Sequence, residues 1–186
     1  MKRLFFVPAA LTLFFLTSCG GGSGSNENTN TTPADTSTAA AATPAQEAPG
    51  ADIPGIDTVA ITDHIKLEGR DNMTYDKTLF KVKAGQKITL DFKNVGKLPA
   101  AAMSHNVSIL KPGTDVQAFG TAAVSAPAPD HIPPSMKDDD LFHTKMLGPG
   151  QSDQITFTLP DPGVYDFICT FPGHFATMHG KIVAEP

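Results

Sequence analysis

The sequence predicts an all-β domain, a β-sandwich of short strands, and two observations carry that reading. Apolar and polar residues alternate at period two over short stretches, which places one face of each strand on a core and the other in water. Turn-forming Pro, Gly and Asp residues separate the stretches at intervals of about 8–12 residues, the rhythm of a sandwich. The net charge of −5 lacks the basic footprint that neutralising phosphates requires, so no nucleic-acid partner is expected.

The chain opens with Met1-Lys2-Arg3, a short basic start, followed by an apolar run from Leu4 to Leu16. The run is short for a membrane span and suits a secretory signal. It ends in Leu16-Thr17-Ser18-Cys19. Small residues directly before a Cys resemble the cleavage box of bacterial lipoproteins, which implies a signal peptide over 1–18 and acyl chains on Cys19. A plain signal peptide with an incidental Cys is the alternative. Acyl chains anchor by burying methylenes, at about 0.8 kcal/mol each. Residues 19–62 then run through Gly/Ser and Thr/Ala/Pro compositions with too few large apolar side chains to offset their ordering entropy, so they read as a disordered linker.

The folded part is expected over 63–186. Phe80 and Val82, then Ile88, Leu90 and Phe92, alternate with Lys81, Lys83, Thr89 and Asp91 across the turn Ala84-Gly85-Gln86. Val107 and Ile109 continue the period, as do Ile155, Phe157 and Leu159. Pro160-Asp161-Pro162-Gly163 turns the chain into Tyr165 and Phe167, and Lys181-Ile182-Val183 supplies a closing strand. Between Pro112 and Leu141 the pattern fails at Pro127, Pro129, Pro133 and Pro134. A short helix is expected at Val116–Ala122 and a long structureless flap over the rest.

The chemistry is concentrated near the C-terminus. Cys169-Thr170-Phe171-Pro172-Gly173-His174-Phe175-Ala176-Thr177-Met178 offers a thiolate, an imidazole and a thioether in one loop between strands. A second imidazole, His105, stands upstream in Met103-Ser104-His105-Asn106. A Cys, two His and a weak axial Met are the donor set of a blue-copper electron-transfer site. A Cys/His nucleophile pair is a second use of such residues, but it leaves Met178 and His105 without a role. Zinc could take the thiolate and imidazoles; copper(II) ranks above it for such donors.

At these residues the chain resembles the azurins, within the cupredoxin family of type 1 blue copper proteins. Cys169 to His174, with Met178 and Gly180, carries the resemblance most strongly. Met103-Ser104-His105-Asn106, Phe142 to Gly148 and Gly69-Arg70-Asp71-Asn72-Met73-Thr74-Tyr75 extend it, so that it covers roughly residues 66–183. It implies a cupredoxin-like Greek-key sandwich of about eight strands, with one copper ion at one end. His105, Cys169 and His174 would be equatorial ligands, Met178 axial, and the Ser104 carbonyl a distant opposite contact. Asn106 would tie the two ligand loops together, and backbone N–H groups near Asn106 and Phe171 would point at the Cys169 sulfur. Met73, Met103, Phe171 and Pro172, with Leu98 and Pro99, would form an apolar patch through which electrons pass at the His174 edge.

Three departures from the azurin pattern stand out. Ser104 replaces a usual Gly, Asn94 replaces a buried His outside the copper shell, and the azurin disulfide has no partner cysteines. The remaining histidines are expected to be non-ligands: His143 structural, His64 and His131 facing solvent, and His179 at the surface beside the site. Asp138-Asp139-Asp140 reads as a solvated turn. The resemblance implies a monomeric electron carrier on the periplasmic or extracytoplasmic side of a bacterial envelope, with a c-type cytochrome or another carrier as partner and no small-molecule substrate. A copper-scavenging or buffering lipoprotein is the alternative.

Overall fold

The computed structural model of the chain describes residues 48–186; the signal segment, Cys19 and most of the linker lie outside them. Strands β1 (His64–Arg70), β2 (Thr74–Tyr75), β4 (Lys87–Asn94) and β7 (Ser152–Thr158) form a four-stranded sheet in the order β2-β1-β4-β7. Strands β3 (Leu79–Lys83), β5 (Ser108–Leu110), β6 (Asp140–His143), β8 (Gly163–Ile168) and β9 (His179–Glu185) form a five-stranded sheet in the order β3-β9-β8-β5-β6. The β1–β4 and β3–β9 pairs are parallel; the other pairs are antiparallel.

The alternation explains the layers. In β4 Ile88, Leu90, Phe92 and Asn94 are buried while the residues between them are more exposed. Facing them across the sandwich are Phe80 and Val82 of β3, Tyr165 and Phe167 of β8, and Ile182 and Ala184 of β9, all in one core cluster. Cys169 and Met178 belong to that same cluster, so two of the expected ligands sit at the edge of the main core.

Nine strands stand where the sequence suggests about eight. Strand β6 escapes the period-two pattern because its apolar residues, Leu141 and Phe142, are adjacent and both half-buried. Phe142 stacks on Phe157 with ring centroids 5.1 Å apart. A second unforeseen element is α1 (Ala100–Met103), a single turn following Pro99.

The flap is more ordered than its prolines suggest. Helix α2 (Val116–Ala123) forms where a helix is expected, and the Asp115 side chain caps it by accepting from the Ala118 N–H at 2.9 Å. Phe119 of α2 is buried with Leu110 and Ile168 in a small second core that Ile132, Met136 and Phe175 flank. At Gly120 a Cβ would lie 2.3 Å from the Phe175 ring, so only glycine lets the helix seat this closely on the ligand loop. A 3-10 turn at Pro134–Asp139 leads into β6. Apart from α2 and this turn, the insertion is ordered by the packing of buried Phe119 and half-buried Ile132 on the small second core, which the sequence pattern does not reveal.

Order also begins ahead of residue 63. Ile56, in a 3-10 turn at Ile56–Thr58, is 4% exposed, and Ile61 bridges to Lys81 on the edge strand β3. None of the described helices is long and apolar enough to cross a membrane.

Candidate metal centre

Four elements deliver the site. Cys169 ends the run that begins in β8, and Met178 immediately precedes β9. The loop between them closes on itself: Cys169 N–H donates to the Met178 carbonyl at 2.9 Å, and Met178 N–H donates to the His174 carbonyl at 2.9 Å. His105 lies just before β5 and is clamped by reciprocal backbone bonds with Leu147, at 3.0 and 2.8 Å.

These bonds gather three donor atoms. The Nδ1 atoms of His105 and His174 are 3.1 Å apart, and the Cys169 Sγ lies 3.9 Å from the first and 3.8 Å from the second. Metal–nitrogen bonds of about 2.0 Å and a metal–sulfur bond of about 2.3 Å, spread in a plane, put such donors about 3.5–3.7 Å apart. The observed triangle therefore fits one metal ion at its centre. Cys169, His105, His174 and Met178 are all buried. Among the described residues this is the one cluster of His, Cys and acidic side chains close enough to hold a metal. With Met178 beside it, the set is arranged like a type 1 copper site.

The electrostatics suit metal ligation. Burial, then the facing His174, lowers the His105 pKa to about 4. Burial lowers the His174 pKa as well, so both rings are neutral with free lone pairs at neutral pH. Burial pushes the Cys169 thiol up to about 12, against the backbone N–H groups of Asn106 and Phe171 directed at its sulfur. Copper loading must therefore displace the thiol proton.

Around the donors lies a rigid polar frame. Asn106, fully buried, donates from Nδ2 to the Thr170 hydroxyl at 2.8 Å and accepts from the Thr170 N–H at 2.9 Å. The Thr170 hydroxyl in turn donates to the Asp130 carbonyl of the flap at 2.6 Å. Asn94, also fully buried, donates to the carbonyls of Met103 at 2.9 Å and Leu147 at 3.0 Å. It holds the two segments that flank His105 without any titratable group. Ser104 is 7% exposed and its hydroxyl donates to the Ala100 carbonyl at 2.7 Å, closing the α1 turn.

The expected patch residues lie outside the core. Met73 is 36% and Leu98 45% exposed, and Pro99 is exposed; Met103, Phe171 and Pro172 are half-buried. The Thr177 hydroxyl donates to the Met73 carbonyl at 2.9 Å, tying Met73 to the ligand loop. Phe171 lies against the His174 ring, with centroids 4.6 Å apart.

Of the other histidines, His64 is exposed and pairs with Asp91 at 2.6 Å, and His179 is exposed. His131 departs from the expected solvent-facing position. It is half-buried, its ring meets Phe171 edge-on at 6.1 Å, and Nδ1 bonds the Ala126 carbonyl at 3.0 Å, because the flap folds down onto the ligand loop. His143 bonds Asp140 at 2.6 Å, and Asp140 also accepts from the Ser108 hydroxyl at 2.6 Å. Asp140 is thus a structural acceptor, unlike its neighbour Asp138, which is exposed as a solvated turn requires.

Two residues near the site, Gly69 and Tyr75, fall within the azurin-like segment but carry no role that the sequence assigns. At Gly69 a Cβ would lie 3.0 Å from the Met178 methyl and 3.1 Å from both the His105 and Phe92 rings, so β1 backs directly onto the donors. Tyr75 of β2 reaches the Asn106 carbonyl at 2.5 Å.

Comparison with known proteins gives a consistent result. The family described as copper binding proteins, plastocyanin/azurin family, matches residues 62–185. An azurin of Alcaligenes faecalis is 34% identical over 122 residues, covering 63% of this chain and 94% of its own length. Outer membrane protein H.8 of Neisseria gonorrhoeae is 36% identical over 124 residues, covering 62% of this chain and 64% of its own. The crystal structure of a dithionite-reduced auracyanin from the photosynthetic bacterium Roseiflexus castenholzii aligns with a TM-score of 0.61 at 40% identity, covering 68% of this chain and 100% of that one.

Proposed function

Because the chain belongs to the plastocyanin/azurin family of copper-binding proteins, we propose that it is a membrane-anchored blue copper protein that passes single electrons between redox partners. His105, Cys169, His174 and Met178 would hold the copper ion, and the Ser104 carbonyl would add a weaker contact. When bound, the copper ion supplies a one-electron couple between its cuprous and cupric states. The observation that carries this reading is the buried donor triangle, closed by backbone bonds within the loop.

The chain's own residues hold that couple still. Asn106 and Thr170 lock the two ligand segments together, so the donors need little rearrangement on electron gain or loss. Neutral imidazoles and a thiolate fit both oxidation states. Four protein donors leave no position for a substrate or an activated water, which a catalytic metal requires; we read no enzymatic step here. Electrons enter and leave at the His174 edge through the patch of Met73, Met103, Phe171 and Pro172. Exposed apolar surface of modest extent suits a weak, transient partner such as a c-type cytochrome.

A signal peptide over 1–18, lipidation at Cys19 and a linker from residue 19 would hold the copper domain of 63–186 outside the cytoplasm on a tether, whose last residues, from Ile56, pack on the domain. The Leu16-Thr17-Ser18-Cys19 box supports this, as does a relative named an outer membrane protein. Stopped-flow mixing of the reduced copper-loaded protein with an oxidised c-type cytochrome tests the carrier role. Fast, reversible transfer with copper retained is expected; slow transfer with copper released would favour a metal-buffering role. Cys19→Ser is expected to move the protein from the membrane to the soluble fraction, and a variant that stays on the membrane would refute the anchor.

A further inference from the structure

The chain has two tyrosines, and the structure uses them in parallel ways at distinct places. Tyr165 is 1% exposed and donates its hydroxyl to the Asp161 carbonyl at 2.8 Å, in the turn before β8. Tyr75 is 5% exposed and donates to the Asn106 carbonyl at 2.5 Å, beside the metal centre. The six residues of β8 separate the Tyr165 turn from Cys169, which follows the strand's far end.

We propose that Tyr75 is a positioning residue for the copper site, pinning the Asn106 carbonyl while Thr170 holds the Asn106 side chain, so that the Asn106 N–H stays aimed at the Cys169 sulfur. Asn106 is then held at three points. Its side chain exchanges hydrogen bonds with Thr170, its carbonyl accepts from Tyr75, and its N–H is directed at the sulfur. The Tyr75 ring is fixed by Phe167 at 5.3 Å and by Phe92 at 6.0 Å, edge-on. In register, Tyr75 pairs with Gly69, the residue that backs Met178 and His105. Burial and the nearby Cys169 hold the phenol well above its usual pKa, so it remains a donor throughout the working range. An N–H aimed at a thiolate withdraws electron density from sulfur and so favours the reduced metal. Fixing that N–H therefore tunes the site without any contact between Tyr75 and the ion.

The test compares Tyr75→Phe with Tyr165→Phe in the full-length, copper-loaded protein. Both remove one buried hydroxyl and keep the ring, so both are expected to lower the melting temperature. Only Tyr75→Phe is expected to lower the reduction potential and move the sulfur-to-copper charge-transfer band to longer wavelength. A third protein, Tyr165→Phe grown on 3-fluorotyrosine, carries the stronger phenol donor at Tyr75 alone; it is expected to shift both readouts the opposite way. It also decides the matter should Tyr75→Phe fail to fold. Wild-type potential and spectrum in Tyr75→Phe, or no shift with fluorotyrosine, would overturn the proposal. The inference rests on the copper-thiolate reading, and the two fail differently. A wild-type protein with no charge-transfer band would overturn that reading itself; a normal wild-type band with unmoved variants would overturn only the role of Tyr75.

Discussion

Replacing Gly69 by alanine adds a single methyl group where β1 meets the metal donors. Gly69 has no positive φ, so the backbone accepts alanine and the whole effect is steric. The new Cβ would stand 3.0 Å from the Met178 Cε and 3.1 Å from His105 Cδ2 and Phe92 Cζ, where ordinary contacts are 3.4–4 Å. Two of the three neighbours are expected ligands, and each must yield by a few tenths of an ångström or more. Overpacking of a dense core costs about 1–3 kcal/mol. In a domain of this size that lowers the melting temperature by roughly 3–12 °C. Because the atoms displaced belong to Met178 and His105, the copper-loaded protein should also change its visible band ratios and copper hyperfine splitting. Gly163→Ala is the matched control. Its Cβ would meet only the Tyr165 ring, at 3.9 Å, so it should leave the spectrum unchanged. Thermal melts of the copper-free proteins and spectra of the loaded ones make the comparison. A Gly69→Ala protein with wild-type melting and spectrum would refute the claim that β1 forms the wall of the site.

Other consequences follow from the polar frame and the segment before β1. Asn94→Ala leaves the Met103 carbonyl and the Gly96 N–H without their partner, while the Leu147 carbonyl keeps its bond from the His105 N–H; at about 1–3 kcal/mol for each of the two unsatisfied groups, urea unfolding should show a loss of roughly 2–6 kcal/mol. The Asp140 hydrogen bond raises the His143 pKa. The stability this adds is full below the unfolded value of about 6.5 and fades as pH rises through the higher folded value. His143→Gln should flatten that pH dependence in urea midpoints, and an unaltered slope would contradict the pairing. A chain starting at Asp63 loses Ile56, 4% exposed, and the Thr62 N–H bond to the Lys81 carbonyl at 2.9 Å. Losing that Ile burial alone should cost about 1.5–3 kcal/mol relative to a chain starting at Ala48. Equal melting of the two would show that the segment contributes nothing.

The parts legible in the sequence are those whose chemistry is contiguous or periodic. Cys169, His174 and Met178 share one loop, so their spacing alone suggests a metal. The strands from Phe80 to Phe92 and from Ile155 to Phe167 are read from alternation because one face of each is buried. A long stretch of chain separates His105 from Cys169, so it is legible as the second imidazole that the donor set needs and through its likeness to the azurin segment, and not through spacing. What the sequence hides is convergence. Gly69, Tyr75 and Asp130 carry no ligand chemistry and matter only because folding brings them against Met178, Asn106 and Thr170. The flap was hidden for a related reason. Its prolines signal irregular backbone correctly, but its order comes from Phe119 and Ile132 packing on Leu110, Ile168 and Phe175.

The most direct test of the central claim is the visible absorption and electron paramagnetic resonance of the copper(II)-loaded protein beside its Cys169→Ser variant. The account expects an intense red-region sulfur-to-copper band with a narrow copper hyperfine splitting in the wild type, both absent from the variant. A pale wild-type protein with the wide splitting of ordinary tetragonal copper would contradict it, because the triangle of His105, Cys169 and His174 would then not be the set of atoms that holds the metal.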